Sequence, residues 1–487
     1  MPVNTEHKEY AASLNTWTKC RDCFAGSDKV KSRGVVYLPA LDSHSSDVIA
    51  YNYYKMRALF FNATRRTVQG LAGAVFQRGP VVNVDETLTQ QLKNVTLTGK
   101  DVETFGLSLL KEVLITGRTG VLVDMGDAND PKSRPYWVQY SPEAIINWST
   151  TLIEGMPVLT RVVLRETYYE PRPEDEFTLE EKDQYRVLNL TINGEIRTYS
   201  QSIYRKDGDK WTIVKSIIPT RSSNPLPFIP FIFLGPTTIQ PAVEDSPILD
   251  LVEVNLSHYR TSADLEHGLH WTACPTPWAA GITLPGGEKL KIGSGEAWVF
   301  PDANGKAGML EFTGAGLGAL AAADEKKRKM MSALGARLLE DSISSESTLG
   351  IKMRASGEHA SLRTIVQQLE LALTWCAKVH AWWLSTSASP EDEKAVITVN
   401  KDFIVGQLAP EQVNALIALL QAEAISYATF YEKLMQGEMT REGVDAEMEL
   451  KDIDTMAGRF KLVPVAPTDP NNPDKKPEDK KSAPVKK

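Results

Sequence analysis

The pattern closest to an enzyme motif in this chain is a glycine-rich run. Gly314, Gly316 and Ala319 match G-x-G-x-x-A and stand between a strand-like run and a helix. A dinucleotide site also needs a second strand after that helix, with an acidic residue near the ribose. Here the polar segment 341–350 follows instead. A nucleotide-dependent enzyme is therefore kept only as an alternative.

A second pattern is the lone CxxC formed by Cys20 and Cys23. A structural zinc site of this type normally has a second pair of ligands. The other two cysteines, Cys274 and Cys376, are isolated from each other and from any CxxC. We predict no metal site, and four cysteines are too few for a disulfide framework, which favours a reducing compartment.

Histidines and catalytic signatures give no further support for chemistry. His267 and His270 lie three residues apart and are able in principle to share a metal, but a pair beside Trp271 at a helix end is more often structural. No P-loop, G-x-S-x-G or H-E-x-x-H sequence occurs. We therefore predict no catalytic residue, no cofactor and no enzyme activity.

The remaining candidates are cations on a helix and on a neighbouring loop. The helix predicted at 316–340 has apolar ends and a charged middle whose turns are polar almost all round, so we expect solvent on both sides of it. The wall of a water-filled ring and an exposed helix with alternating charges both fit this pattern. The candidates for facing nucleic acid are Lys326, Lys327, Arg328 and Lys329 on this helix and Lys352 and Arg354 on the loop.

The overall composition is that of a soluble globular protein. Of the 487 residues, 42% are hydrophobic and 24% are charged, which predicts two to four folded units. The net charge of −8 disfavours a protein that grips DNA by neutralising many phosphates, and it is compatible with a channel in which DNA slides. Neither a signal peptide nor a membrane span is predicted.

Periodicity and turn residues predict an α+β fold. Asp101 and Gly117 bound one helix, and the turn signals at Asn193 and Asp207 separate short β-branched runs. Apolar spacing predicts helices at 47–76, 101–116, 246–270, 316–340, 358–384 and 409–434, a shorter one at 441–448, a strand at 120–125 and a β-rich region at 136–234. The proline-rich and charged segment 463–487 is predicted to be a disordered tail.

This succession resembles the portal proteins of tailed bacteriophages, in a branch long classed only as a domain of unknown function. The similarity extends over residues 17–454. The stretches that carry it are YNYYKMRALFFNATRRTVQGLAGAVFQRGP, FIPFIFLGP, LDLVEVNLSHYRTSADLEHGLHWTACPTPWAAG and LGARLLED. No single one is as specific as a P-loop, so the resemblance depends on many matches in the right order.

The resemblance implies the portal architecture of wing, stem, clip, tunnel loop and helical crown. The implied parts are N-terminal helices and a β-rich wing at 1–245, a first stem helix at 246–270, a clip at 271–315, a second stem helix at 316–340, a tunnel loop at 341–357, a long wing or core helix at 358–394, a crown at 395–462 and the tail at 463–487.

It also implies a ring of about twelve copies around double-stranded DNA. The implied partners are terminase, head completion or tail adaptor proteins, and the major capsid and scaffolding proteins. The implied location is the portal vertex of the virion, after assembly in the host bacterial cytoplasm. A minor capsid or tail structural protein is the other alternative, since it would share the mixed fold and the lack of catalytic motifs.

Overall fold

Six helices and one short strand form the N-terminal part of the chain in the computed structural model. They are α1 (Lys8–Ala25), α2 (Ser27–Ser32), α3 (Val48–Arg57), α4 (Ala63–Val75), β1 (Val81–Asn83), α5 (Glu86–Leu92) and α6 (Val102–Thr116). The structure describes residues 2–41, 47–126, 133–172, 175–274, 276–281, 304–311, 313–335, 348–401, 403, 410–436, 440 and 446–457. The chain divides into two compact units, Met1–Phe403 and Ile404–Lys487.

The single helix predicted at 47–76 is wrong, because the chain breaks between α3 and α4. Ala58 has an extended backbone, and the Oδ1 atom of Asn62 accepts a hydrogen bond from the backbone N of Arg65 at 2.9 Å, which starts a new helix. The prediction for α6 is confirmed. Oδ1 of Asp101 accepts from the backbone N of Thr104 at 2.8 Å, and Gly117 ends the helix in the left-handed conformation.

The β-rich region forms two main antiparallel sheets. The three-stranded sheet has the order β11-β2-β3, with β2 at Thr119–Met125, β3 at Pro135–Tyr140 and β11 at Phe231–Leu234. The five-stranded sheet follows chain order, with β4 (Ile145–Ile153), β5 (Met156–Arg172), β6 (Asp175–Asn193), β7 (Ile196–Asp207) and β8 (Lys210–Ile217). Two short strands, β9 (Thr220–Arg221) and β10 (Asn224–Pro225), precede β11.

The two predicted hairpin turns exist, but each lies one residue later than the sequence signal. Asn193 pairs with Ile196 and Asp207 pairs with Lys210, so Asn193 and Asp207 are the last strand residues. The first turn residue is glycine in both hairpins, with positive φ at Gly194. Glycine adopts that backbone without the steric cost that other residues meet.

The second half of the first unit holds α7 (Leu249–Ala273), β12 (Thr276–Ala280), β13 (Lys306–Leu310), α8 (Leu317–Ala333), α9 (Thr348–Leu384) and β14 (Val396–Thr398). The start predicted for α7 at residue 246 is wrong. Oγ of Ser246 accepts from the backbone N of Ile248 at 3.3 Å, so Ser246 and Pro247 form a turn before the helix. α7 also continues three residues beyond His270, and α8 ends at Ala333 rather than at residue 340.

The predicted loop at 341–357 is wrong from Thr348 onward, because that part belongs to α9. Lys352 and Arg354 therefore lie on a helix. Lysine, methionine, arginine, alanine and glutamate in this stretch all favour helix, and the packed part of α9 extends towards them. The rest of the predicted loop falls on 336–347, outside the described residues.

The apolar face predicted on α9 is confirmed. All seven of its members are buried or at the limit of burial: Leu362, Ile365, Leu369, Leu373, Cys376, Val379 and Trp383. α9 contacts α6, the three strands β2, β3 and β11, and β14, so the main core lies between this helix and the three-stranded sheet. β14 pairs with β1, which joins the start of the first unit to its end.

A part-buried cluster of charged side chains lies between α1 and α6. The guanidinium group of Arg21 on α1 donates to Glu112 on α6 and to Glu143, with Nη2 at 2.7 Å from Oε2 of Glu143. Burial alone would lower the pKa of Arg21, but the two carboxylates outweigh it and the pKa is raised. Arg21 is therefore a fixed cation that ties α1 to α6.

The second unit contains helices in its described part, which are α10 (Pro410–Gln421), α11 (Tyr427–Gln436) and α12 (Ala446–Ala457). The single helix predicted at 409–434 is wrong. Glu423 has positive φ, and Oγ of Ser426 accepts from the backbone N of Thr429 at 3.2 Å, so the chain turns and starts again. α12 lies further along than the short helix predicted at 441–448, and the predicted tail at 463–487 lies outside the described residues. No helix in the described ranges is both long and apolar enough to cross a membrane.

Replacing Gly117 with alanine should destabilise the first unit. Gly117 has φ of 76°, and a Cβ atom there would lie 2.6 Å from the backbone oxygen of Glu244. We expect Gly117→Ala to lower the free energy of unfolding by about 3 kcal/mol in urea titrations followed by tryptophan fluorescence. Gly99→Ala is the control, because Gly99 has φ of 87° but no atom within 4 Å of its Cβ position. Equal losses in both variants would contradict the role given to the close approach.

Candidate functional site on the paired helices α7 and α8

α7 and α8 lie side by side and run in opposite directions. Three contacts follow each other in reverse order along the two helices: Leu251 with Met331, His258 with Asp324, and Gly268 with Leu317. The antiparallel strands β12 and β13 belong to the segment that connects them. At 1.5 Å per residue, α7 is a rod of about 37 Å.

The fully buried positions of α7 lie in its first part, and the rest of the helix is covered on one side by α3. The buried positions end at Ala263, and side chains beyond it such as Leu269 and Trp271 are exposed. On α8 the described buried residues are Asp324 and Met331. The distal end of the pair is therefore largely exposed in the single chain, apart from the side of α7 that contacts α3.

The middle of the helix pair is held by a polar cluster. Nε2 of His258, a fully buried side chain, lies 3.0 Å from Oδ1 of Asp324, and Nε of Arg328 lies 2.9 Å from Oδ2 of Asp324. Nε of Arg328 also donates to Nε2 of His258 at 3.4 Å. Oδ1 of Asp324 has no hydrogen-bond partner among the described atoms, so the contact of His258 with Asp324 is close but not aligned for a hydrogen bond. Burial lowers the pKa of His258 despite the neighbouring carboxylate.

Lys327 contributes a second polar contact between the helices. Its Nζ donates to the backbone oxygen of Ser257 at 3.1 Å and to Oγ1 of Thr261. Burial against α7 lowers the pKa of Lys327. One side of the charged middle of α8 is therefore covered by α7, and the solvent expected on both sides of this helix is absent from the side that faces α7.

The other side of α8 presents free charge to solvent. Lys326 is exposed, and Lys329 is 75% exposed with its Nζ at 3.6 Å from Glu325. Of the six predicted cations, Lys326 and Lys329 thus face solvent, whereas Lys327 and Arg328 contact α7. Lys352 and Arg354 lie on α9, and their side chains are outside the described ones.

Sequence reasoning missed His258 and Asp324, which are the centre of the helix contact. The only local signal is the spacing of Asp324 and Arg328, four residues apart on one helix face. The partner His258 is far away in the chain, within an apolar stripe. A single histidine in such a stripe is no signal of a charged contact.

The glycine-rich run does not have the surroundings of a nucleotide site. It stands between β13 and α8, and β13 pairs antiparallel with β12, whereas a dinucleotide site is built from parallel strands. Gly314 has positive φ, and its backbone oxygen accepts from the backbone N of Leu317 at 2.9 Å. The glycines thus shape the turn that starts α8.

The other sequence candidates are held by separate neighbours. Nε2 of His267 accepts from Nε1 of Trp271 at 3.0 Å, while Nε2 of His270 lies 3.1 Å from Arg57. Cys20 and Cys23 are buried in α1, and burial raises the pKa of Cys20 to about 11. Among the described side chains, no group of three or more histidines, cysteines or acidic residues is placed to hold a metal ion.

Residues 247–384 match a family described as a domain of unknown function (DUF4055). That range includes α7, α8 and α9. No curated protein matches the chain. Among solved structures, the chain is similar to a chain in the neck of an empty GTA particle with C6 symmetry. The identity is 12% and the TM-score is 0.41, and the match covers 78% of this chain and 90% of that chain. It is also similar to a chain in the neck of a native GTA particle with C12 symmetry, at 13% identity and a TM-score of 0.34, over 81% and 94%. Both scores are low, so the functional conclusion depends on the residues of this chain.

Asp324→Ala should weaken the contact between α7 and α8. It leaves the buried His258 and the guanidinium of Arg328 without their shared carboxylate, so we expect a loss of about 1–3 kcal/mol in the free energy of unfolding. Glu325→Ala is the matched control on the next residue, since it removes only the exposed pair with Lys329 and should change stability little. Similar losses in the two variants would contradict the central role of Asp324.

Proposed function

We propose that the protein is the portal subunit of a tailed bacteriophage or phage-like particle. In this role, copies form a ring at one capsid vertex, and double-stranded DNA passes through it during packaging, retention and ejection. The observation that carries the proposal is the antiparallel pair α7 and α8, which extends from the body of the unit and keeps a charged face in water. The pair stands between a β-rich region and a long core helix, in the order that the portal plan requires.

The proposed parts follow the observed elements. The wing corresponds to the helices and sheets before α7, the stem to α7 and α8, and the clip to the segment between them that contains β12 and β13. The tunnel loop is reduced to the residues between α8 and α9, because α9 begins at Thr348. The crown corresponds to the second unit, which begins at Ile404, since β14 belongs to the first unit.

The charges of α8 suit a wall along which DNA moves. Lys326 and Lys329 offer weak electrostatic contacts to phosphates, and Glu325, 3.6 Å from Nζ of Lys329, limits how strongly the duplex is held. A row of unopposed cations would bind DNA tightly, because each phosphate contact adds a salt-dependent gain in affinity. The net charge of −8 agrees with a channel in which no position retains the duplex.

The proposed ring also implies which proteins the chain would contact. Copies related by rotation contact each other through two different surfaces, so one surface stays without a partner until the ring closes. In the particle, one face of the ring would meet terminase and later head completion or tail adaptor proteins. The surrounding shell would consist of major capsid and, during assembly, scaffolding proteins. The site of action would be the portal vertex of the virion, after assembly in the host cytoplasm.

The purified protein should assemble into a closed ring. With a chain mass of 53.9 kDa, about twelve copies give a particle of about 650 kDa in light scattering, and negative-stain images should show a central hole. A monomer at high concentration would contradict the proposal. An open filament or a solid oligomer without a hole would instead favour a minor capsid or tail structural protein.

Reversing the charge of the proposed channel residues should reduce DNA packaging without affecting the ring. Lys326→Glu with Lys329→Glu, and separately Lys352→Glu with Arg354→Glu, are expected to lower the amount of DNA packaged, modestly and more strongly at low salt. Lys8→Glu with Lys29→Glu is the control, because it makes the same charge change at exposed residues outside α8 and α9. Normal packaging in intact rings of one double variant would remove that pair from the channel wall.

A further inference from the structure

A two-stranded ribbon projects from the five-stranded sheet. The pairing of β6 with β7 begins at Gln184 opposite Arg205, whereas β6 already pairs with β5 from Asp175. Residues 167–172 and 175–183, called the ribbon below, therefore have no third strand of this sheet beside them among the described residues. Nine residues of β6 at about 3.4 Å each make it about 30 Å long. An isolated two-stranded ribbon is marginally stable at best in water, so a further contact would stabilise this projecting one.

One face of the ribbon carries charged side chains that form ion pairs with each other, whereas the other face exposes apolar side chains. On one face, Lys182 lies 2.9 Å from Glu170, and Arg172 lies 3.1 Å from Glu180. On the other face, three large apolar side chains are exposed beside Glu181 and Asp183. These are Tyr169, Leu179 and Phe177, the last 89% exposed.

The far edge of the same sheet is strand β8, which exposes apolar side chains together with positive charge. β8 is the last strand, so its outer backbone groups have no strand to pair with within the sheet. Ile213, Val214 and Ile217 of β8 are exposed, as is Ile218 directly after it. Lys210 and Lys215 on this strand are exposed as well.

The charges of the two regions are opposite. Residues 167–183 contain seven acidic and two basic residues, whereas β8 contains two basic residues and no acidic one. Both the ribbon and the β8 edge expose apolar side chains, and each carries mainly one sign of charge. The ribbon prolongs β5 and β6, with β7 between it and β8, so it cannot fold over the β8 edge of its own copy.

We propose that the ribbon of each copy docks on the β8 edge of a second copy of this chain. Apolar contacts would cover Phe177 and Leu179 with the isoleucines of β8, and the acidic residues would meet Lys210 and Lys215. Because donor and acceptor surfaces differ, the contact is heterologous and repeats around a ring. The inference rests on the proposed ring and identifies one of its subunit contacts.

Charge reversal tests this contact. Variant A carries Glu181→Lys and Asp183→Lys on the ribbon, and variant B carries Lys210→Glu and Lys215→Glu on the edge. In each variant alone, like charges meet at every contact, so the concentration for half-assembly should rise about tenfold or more. In an equal mixture, every A–B contact is again complementary, and rings should return.

Two comparisons make the result decisive. Glu154→Lys with Glu195→Lys changes the same number of exposed charges in hairpin turns of the same sheet and should assemble like the wild type. If the wild type forms rings and A and B do so equally well, the ribbon contact is wrong while the ring stands. If the wild type forms no ring, the proposed function itself fails.

Cross-linking locates the contact directly. Cys274 is the exposed one of the four cysteines, so Cys274→Ser gives a background without a surface thiol. Phe177→Cys and Ile217→Cys, each made alone in that background, should form a disulfide-linked dimer on mild oxidation only when the two proteins are mixed and co-assembled. Mixed rings that yield no such dimer would overturn the proposed docking.

Discussion

The burial of one apolar face of α9 is the interaction on which the first unit depends. β2 and β11 are buried along nearly their whole length, so the three-stranded sheet requires a cover over its face. α9 supplies that cover and at the same time contacts α6 and β14. Since α9 follows α8 in the chain, its fixed position also limits where α8 can return to the body. The paired helices are thus anchored by a core to which α8 contributes little.

The sequence was sufficient to predict those elements whose apolar spacing reports burial directly. α6, the apolar face of α9 and the β-rich region follow from local patterns, because burial imposes a period on the residues themselves. The failures are at chain breaks and ends. The apolar spacing continues across the break before Asn62, and the start of α9 mixes apolar, small and polar residues without a helical period. In both places, side-chain capping or the packing of distant residues decided the outcome, which no local period records.

The candidate site was predicted in part for the same reason. Exposed cations on α8 follow from composition, and Lys326 and Lys329 do face solvent. The contact that fixes them joins His258 to Asp324, two residues far apart in the chain, and such pairing has no local signature. Because this part of the interface is polar, its strength derives from charge and hydrogen bonds more than from apolar area. A polar interface tolerates water at its borders. This property suits α7 and α8, whose distal ends are largely exposed to solvent.

The pairing of β1 with β14 sets a condition on how the protein is made. Val82 is opposite Ile397, so the first unit cannot close until nearly its whole sequence has left the ribosome. At about 5–20 residues per second, the N-terminal helices wait on the order of tens of seconds for their last partner. During that time α6 and the three-stranded sheet lack the cover of α9, and nascent chains expose their future core. The apolar surface of the nascent chain is therefore covered only after Ile397 has been synthesised.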